Sequence, residues 1–409
     1  MNIDWMRRID YYVGIPLCFL GTILRFFMPR RSRPVKNVLL IELSEMGSAI
    51  LADPAMRILQ ADLGAELYFV IFEKNAGSLR LLGTVAPERV FNIRASGLFS
   101  LVVDTFRFLA WARRNRIDTT IDLELFSRFT ALLSGFCGAS IRVGFHGFHN
   151  EGLYRGRLLT HKVLYNPHMH IAKNFVSLVR ALESKQTQLP FSKIAISDDE
   201  IRLQRRETSE EEKATVRAAI GPHLPDGCPP EGPFALVNAN AGDLLPQRRW
   251  EMERYAALVR RMLDAREDVT VLLTGSPSER DGIERLCKLV NDRRCANIAG
   301  ALRLEQLPGL YEISGLMVTN DSGAAHFASV TPLPTFILFG PETPDLYGPL
   351  GDSTPITARL ACSPCVTAAN HRKTACKDNV CMQAITPEMV FERIRPVLER
   401  VTAGVAERA

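Results

Sequence analysis

Three regimes of hydrophobic patterning divide the chain. From Val38 onward, short continuous apolar runs of strand length alternate with stretches whose apolar residues recur every three to four positions. Val38–Ile41, Leu67–Phe72, Val90–Ile93, Thr119–Leu123 and Ile141–Phe145 read as strands. Between them, a segment from Ser48 to about Leu63, Leu101–Arg114 and Ser127–Phe136 read as helices. Strands that are apolar throughout, separated by helices, imply a parallel sheet covered on both faces. His170–Leu182 reads as a connecting helix, residues 194–216 are polar and charged, and residues 221–233 are dense in Pro and Gly, which marks a boundary. The alternation then restarts with strands at Phe234–Asn238, Val269–Thr274, Asn297–Ile298, Leu316–Thr319 and Thr335–Phe339. Glu251–Arg266, Ser278–Val290, Leu304–Ile313 and Ser322–Val330 read as the helices among them, and Pro387–Val401 as a closing amphipathic helix. The pattern predicts an α/β protein with two doubly wound, Rossmann-like domains facing a central cleft, at 37–185 and 233–409, joined by a linker region at 186–232.

The third regime is the N-terminal segment, residues 1–36. Tyr11 to Leu24 is uncharged for 14 residues and continues past Arg25 with Phe26, Phe27 and Met28. A bilayer-spanning helix needs roughly 20 apolar residues, and Gly14, Pro16 and Gly21 loosen this one further. No cleavage site of small residues follows it, which argues against a secretory signal. Arg7, Arg8, Arg25, Arg30, Arg31, Arg33 and Lys36 oppose only Asp4 and Asp10, so this segment accounts for the whole net charge of +5. An excess of positive charge beside an apolar helix points to an anionic membrane surface, whereas a nucleic-acid binder spreads a basic face over its body. The expected arrangement is an interfacial or re-entrant anchor holding the protein at the cytoplasmic face of the inner membrane, peripheral or monotopic. A spanning helix and a helix packed on the protein's own body are the two alternatives.

Ligands of open α/β sheets bind beyond the carboxyl ends of the strands, so the loops after each strand carry the candidate chemistry. In the second domain, Thr319-Asn320-Asp321-Ser322-Gly323 follows a strand and opens a helix, where backbone N–H groups favour a diphosphate. Phe339-Gly340-Pro341-Glu342 is a second loop at the end of the same sheet. Asn238-Ala239-Asn240 leads to Arg248-Arg249-Trp250; Arg248 is placed to clamp a leaving diphosphate, with Trp250 in the core. Glu279, in Gly275-Ser276-Pro277-Ser278-Glu279, reads either as a ribose ligand or as the acid of a capping box. In the first domain, Glu45-Met46-Gly47-Ser48 and Glu124 stand at equivalent heights, where a carboxylate can take a proton from an acceptor hydroxyl. Glu124 and Arg128 read equally as an ordinary surface ion pair.

These loops, in this order, resemble glycosyltransferase family 9, the ADP-heptose:lipopolysaccharide heptosyltransferases among them. The likeness rests on NDSGAAH, FGPETP, GDLLPQRRW, NIAGALRLEQLPGL and CSPC, and covers about residues 37–395. The resemblance implies a GT-B fold and metal-independent, inverting transfer with no cofactor. The C-terminal domain would bind the donor, a nucleotide-diphosphate sugar such as ADP-heptose, through Asn240, Arg248, Glu279, Asp321, Ser322 and Gly323. Arg248 stands where the family has a diphosphate-binding lysine, which keeps the charge and changes the geometry. The acceptor would be a lipopolysaccharide core or another lipid-linked glycan, met by Ser48 and Arg128. Ser48 is a departure, because the family places its catalytic aspartate there; the expected base is therefore Glu45, or else Glu124. The same residues admit two other readings, a different donor sugar in surface-polysaccharide synthesis and a catalytically silent subunit that only binds a sugar nucleotide. Cys362, Cys365, Cys376 and Cys381 have the count of a zinc site, but the family often carries such a stretch and plain loop cysteines are the first expectation. The remaining five cysteines read as isolated thiols.

Overall fold

The computed structural model describes the chain apart from residues 1–2, 29–33, 126, 147–153, 186–188, 243–244, 368–372 and 403–409. Two compact units divide at Arg202 and Leu203. The first is built on a sheet of β1 (Asn37–Ile41), β2 (Glu66–Phe72), β3 (Val90–Ile93), β4 (Thr119–Asp122), β5 (Ile141–Phe145) and β6 (His161–Val163), ordered β3-β2-β1-β4-β5-β6. The second holds β7 (Phe234–Asn238), β8 (Thr270–Leu273), β9 (Cys295–Asn297), β10 (Ser314–Asn320), β11 (Thr335–Phe339) and β12 (Ser353–Thr357), ordered β12-β11-β10-β7-β8-β9. Every pairing is parallel. Read from its own first strand, each sheet has the same doubly wound order, with its switch point between β1 and β4 or between β7 and β10.

The strands are uniformly apolar because helices cover both faces: Leu39, Leu40, Ile41, Val318 and Leu338 are fully buried. The stretch expected to be a linker holds the helix Glu210–Ile220, whose buried Val216 and Ile220 pack it toward Leu307–Glu312. Ser209 and Glu212 close a capping box at its start.

The N-terminal segment forms two helices, Ile3–Tyr12 and Gly14–Phe26, that lie on the first unit. Among the described residues no single helix is long and apolar enough to cross a membrane; the two together have the length and composition but are bent by 41°. Small residues mediate the packing: Gly14, Cys18 and Gly21 are buried, and a side chain at Gly14 or Gly21 would strike Arg128 or Phe136 of the helix Arg128–Phe136. Asp10 secures the joint. Its Oδ1 accepts from the backbone N–H groups of Arg128 and Phe129 at 2.9 Å each, and its Oδ2 meets the Arg128 guanidinium at 3.2 Å. The Tyr11 ring lies under that guanidinium, 5.4 Å from its centroid. Asp10 is only half-buried, so losing its caps and its pairing with the buried Arg128 costs about 1–3 kcal/mol. Asp10→Ala is therefore expected to lower the urea midpoint of the full chain markedly, a loss that Asp10→Asn restores in part by keeping the backbone caps.

Candidate functional site

In the first unit the switch point brings the carboxyl ends of β1 and β4 side by side, and four carboxylates gather there. Glu124 Oε1 accepts from the backbone N–H groups of Leu43 and Ser44 at 3.0 Å each and from Ser44 Oγ at 2.5 Å, which fixes the loop after β1. Asn75 holds the same loop from β2's side, donating to the Leu43 carbonyl at 2.8 Å. Glu45 precedes the helix Met46–Leu51, and Ser48 Oγ donates to Glu45 Oε2 at 3.4 Å. Ser48 thus stands beside a carboxylate. Asp122, fully buried, accepts from Thr130 Oγ1 at 2.9 Å and pairs with Arg155 at 3.3 Å. Arg155 is 1% exposed and also donates to the carbonyls of Glu124 and Phe145 at 2.7 and 3.0 Å, while its Nε has no partner among the described residues.

Two members of this group escaped the sequence reading. Glu42 extends the apolar strand by one residue and is 4% exposed; nothing in the sequence distinguishes it from the solvent-facing end of a strand. Arg155 reaches the site across 33 residues from Asp122, beyond any spacing rule. Arg128 is the converse case. Expected to meet the acceptor, or to pair with Glu124, it is buried and committed to Asp10 and to the Tyr154 carbonyl at 3.1 Å. The cation nearest the carboxylates is Arg155.

One guanidinium among four carboxyls leaves the group short of positive charge, and burial adds to the cost of ionisation. Burial first, then the Glu124 and Glu45 charges, hold the Glu42 carboxyl well above its ordinary 4.5. Burial also raises Glu124, against the hydrogen bonds from Ser44 and Leu43, and pushes Asp122 up to about 6 although Arg155 opposes it. A carboxyl held above its unfolded pKa stabilises the fold while protonated, and that contribution is lost as the pH climbs through the raised value. Glu42→Gln should consequently lie nearest wild type in denaturant midpoint below pH 4.5, where the unfolded carboxyl is also protonated, and gain on it progressively toward pH 8; an equal difference at both ends would contradict the raised carboxyl.

In the second unit the equivalent position lies between β7 and β10. Asn320, at the end of β10, donates to the Ala239 carbonyl at 3.1 Å and accepts from the Trp250 backbone at 3.2 Å, tying the loop after β7 to the switch point. Trp250 is core, as expected, with its indole N–H on the Ile385 carbonyl at 2.9 Å and its ring edge-on to Tyr255. Arg248 sits on the short turn Pro246–Arg248, and its Nη1 lies 3.4 Å from Asp321 and 3.5 Å from Glu342. Both carboxylates are almost fully buried. Arg248 Nε and Asn240 Nδ2 are buried and, among the described residues, have no hydrogen-bond partner. An unmet buried donor costs about 1–3 kcal/mol, so two of them beside one loop mark a place where a ligand's acceptors belong.

Gly275 keeps that place open, since a Cβ there would lie 2.9 Å from Asn240 Nδ2 and 3.4 Å from the Glu279 Cβ. Asn240 and Glu279 therefore share a corner. Glu279 accepts from the Ser276 N–H and Oγ at 2.7 Å each, the capping arrangement that the sequence offered as its alternative role. Ser322 is half-buried, 3.3 Å from Thr319 Oγ1, and precedes a helix of only six residues, Gly323–Ala328, shorter than the expected 322–330. So short a helix has little macrodipole, and any anion there would depend on individual N–H groups. Asp243 and Leu244 of the loop, like Arg30, Arg31 and Arg33 of the anchor, lie outside the described residues.

The cysteine-rich segment braces this site. The Cys365 and Val366 N–H groups donate to the Pro341 carbonyl at 2.9 Å each, and Gln247 donates to the Cys376 carbonyl at 3.2 Å. Asn379 donates to the carbonyls of Gln247 and Arg249 at 3.2 and 3.1 Å, so the segment holds the turn that carries Arg248. All nine thiols are free, and among the described residues no group of three or more His, Cys, Asp or Glu could hold a metal ion. Cys287 and Cys295, expected to be isolated, stand 3.7 Å apart, because the Arg280–Val290 helix leads straight into β9.

The profile of glycosyltransferase family 9 (heptosyltransferase) matches residues 107–375, which include Asn240, Arg248, Glu279, Asp321 and Glu342 of this second site. The chain belongs to glycosyltransferase family 9. Lipopolysaccharide heptosyltransferase 2 of Salmonella typhimurium is 31% identical over 156 residues, 37% of this chain and 43% of that protein. The family member thus spans less than half the length of the curated relatives it matches. The structure of Escherichia coli ADP-heptose lipopolysaccharide heptosyltransferase II has the same fold, with a TM-score of 0.68 at 20% identity, covering 89% of this chain and 99% of that one. An E. coli heptosyltransferase solved with ADP follows, at a TM-score of 0.62 and 16% identity over 88% and 99% of the two chains. At these identities the structural likeness establishes the GT-B fold, and the loops around Arg248, Asn320 and Glu342 lie within the residues that the family model matches.

Proposed function

We propose that this family 9 protein transfers a heptose from ADP-heptose to a lipopolysaccharide-core or other lipid-linked acceptor at the cytoplasmic face of the inner membrane. The observation that carries the reading is the pair of unmet buried donors, Arg248 Nε and Asn240 Nδ2, at the switch point of the second sheet, beside Asp321 and Glu342. A pyrophosphate supplies the acceptors those donors lack. Asp321 and Glu342 hold the guanidinium in one orientation and offer oxygens to sugar hydroxyls; Ser322, Gly323 and Glu279 border the nucleotide. Relatives named as heptosyltransferases, one of them solved with ADP, make ADP-heptose the donor to test first.

On the acceptor side, Glu45 is the base. Glu124 Oε1 already takes three donors and so serves to position the loop, whereas Glu45 carries the Ser48 hydroxyl at its Oε2. The acceptor oxygen attacks the anomeric carbon as the bond to the diphosphate oxygen breaks. The hydroxyl proton passes to Glu45, and the charge that develops on ADP is met by Arg248. The apolar helix Gly14–Phe26 keeps the enzyme on the membrane where such acceptors reside.

Thermal unfolding of the full chain with nucleotide sugars tests the donor assignment. ADP and ADP-heptose at about 100 times Kd should add roughly 2.7 kcal/mol of stability. A larger shift with UDP- or GDP-sugars would overturn the choice of ADP, and a shift without turnover would favour the silent-subunit reading.

A further inference from the structure

The membrane reading leaves open which surface of the first unit meets the lipid, and the structure carries that further. The helices Gly14–Phe26 and Leu98–Arg114 flank the helix Arg128–Phe136. Gly14 lies against Arg128 and Gly21 against Phe136, so the first of them runs parallel to the central helix. The carboxyl ends of all three converge: Arg25 donates to the Ala139 carbonyl at 3.1 Å and Arg113 to the Phe136 carbonyl at 2.8 Å. Met6, Leu101 and Phe129 pack into one cluster at the other end.

The N-terminal helix turns its small residues inward and leaves Leu17, Leu20 and Leu24 exposed. On the other flank Phe99, Val102 and Phe106 form a stripe one residue wide along the Leu98–Arg114 helix, with Phe99 83% and Phe106 69% exposed. Large aromatics left so bare in a row are unusual for a soluble surface. Charge identifies what covers them. Asp104 is buried against Arg94 and Arg107, so every exposed charge on the three helices is positive: Arg107, Arg113 and Arg114, with Arg25 half-buried beside them. That complements anionic headgroups and disfavours a second copy of the same basic face.

We propose that the stripe Phe99–Phe106 and the N-terminal helix form one monotopic footprint that inserts into the interface of an anionic bilayer, with neither element spanning it. The inference rests on the membrane reading above but adds an element 70 residues away in sequence. An anchor so arranged fixes the orientation of the first unit on the lipid, which a single flexible tail does not.

The test is flotation of the full chain with vesicles of phosphatidylethanolamine and phosphatidylglycerol, comparing wild type with Phe99→Ser/Phe106→Ser. Both side chains are exposed, so folding is expected to be unchanged, and a matching urea midpoint checks this. The account predicts at least about a tenfold loss of partitioning, from two aromatic rings withdrawn from lipid. Transfer to a soluble, delipidated acceptor should be unaffected. Equal partitioning of variant and wild type would overturn the second element while leaving the N-terminal anchor standing. No binding by wild type would overturn the membrane reading itself. A wild-type dimer in sedimentation velocity that the variant dissociates would assign the stripe to a second copy, and an N-terminal tag protected inside sealed vesicles from added protease would show a spanning segment; either result contradicts the proposal.

Discussion

Glu45→Gln is expected to lower kcat for heptosyl transfer by about 10²–10⁴ while leaving the Kd for ADP within about twofold. The substitution keeps the size of the side chain and its capacity to accept from Ser48 Oγ, but removes the ability to take a proton. Because the residue belongs to the first unit and the loops proposed for the donor to the second, the effect should fall on kcat and spare nucleotide binding. Glu124→Gln supplies the contrast. Its amide oxygen can still accept from Leu43, Ser44 and the Ser44 hydroxyl, so the loop should hold and the loss should be much smaller. If Glu124→Gln proved the more damaging of the two, the base would be Glu124 and its raised proton affinity would appear as an acid limb in the pH profile of kcat.

The second large effect concerns Arg248. Arg248→Ala should weaken ADP-heptose binding and slow its breakdown, together lowering kcat/KM by about 10²–10³, the scale seen when one preorganised donor to a developing charge is removed. It also leaves Asp321 and Glu342 buried with less compensation, so a stability cost is expected alongside. Arg248→Lys separates the two consequences. A lysine retains the charge between the carboxylates and should restore folding, but as a point charge it cannot reproduce the guanidinium fork. Partial recovery of kcat/KM with full recovery of the urea midpoint is the expected pattern.

Much of this was legible before any coordinates. The strands announced themselves because burial on both faces removes polar alternation, and Val90–Ile93, Ile141–Phe145, Phe234–Asn238 and Thr335–Phe339 fall where the apolar runs predict them. The short edge strands β6 and β12 were not legible, since His161–Val163 is three residues long and Ser353–Thr357 carries Ser, Thr and Pro on an edge that needs little apolar surface. The Glu210–Ile220 helix hid behind its own charges; Ser209 followed by Glu212 was the available signal, with Val216 and Ile220 one turn apart on its buried face. At the sites, strand-end position singled out Glu45, Glu124, Asn240, Arg248 and Asp321. It gave no means of foreseeing that Arg128 would be drawn to Asp10, or that Arg155 would reach Asp122, because long-range ion pairs obey tertiary packing and leave no periodicity in the chain.

The most direct measurement is a coupled one on the full chain, supplied with ADP-heptose and a heptose-deficient lipopolysaccharide core in the presence of EDTA. Acceptor mass and free ADP are followed together. The account predicts that the acceptor gains one heptosyl residue with inverted anomeric configuration, that ADP appears in equal amount, and that both cease in Glu45→Gln. ADP released without a gain in acceptor mass, or transfer that persists undiminished in both Glu45→Gln and Arg248→Ala, would contradict it.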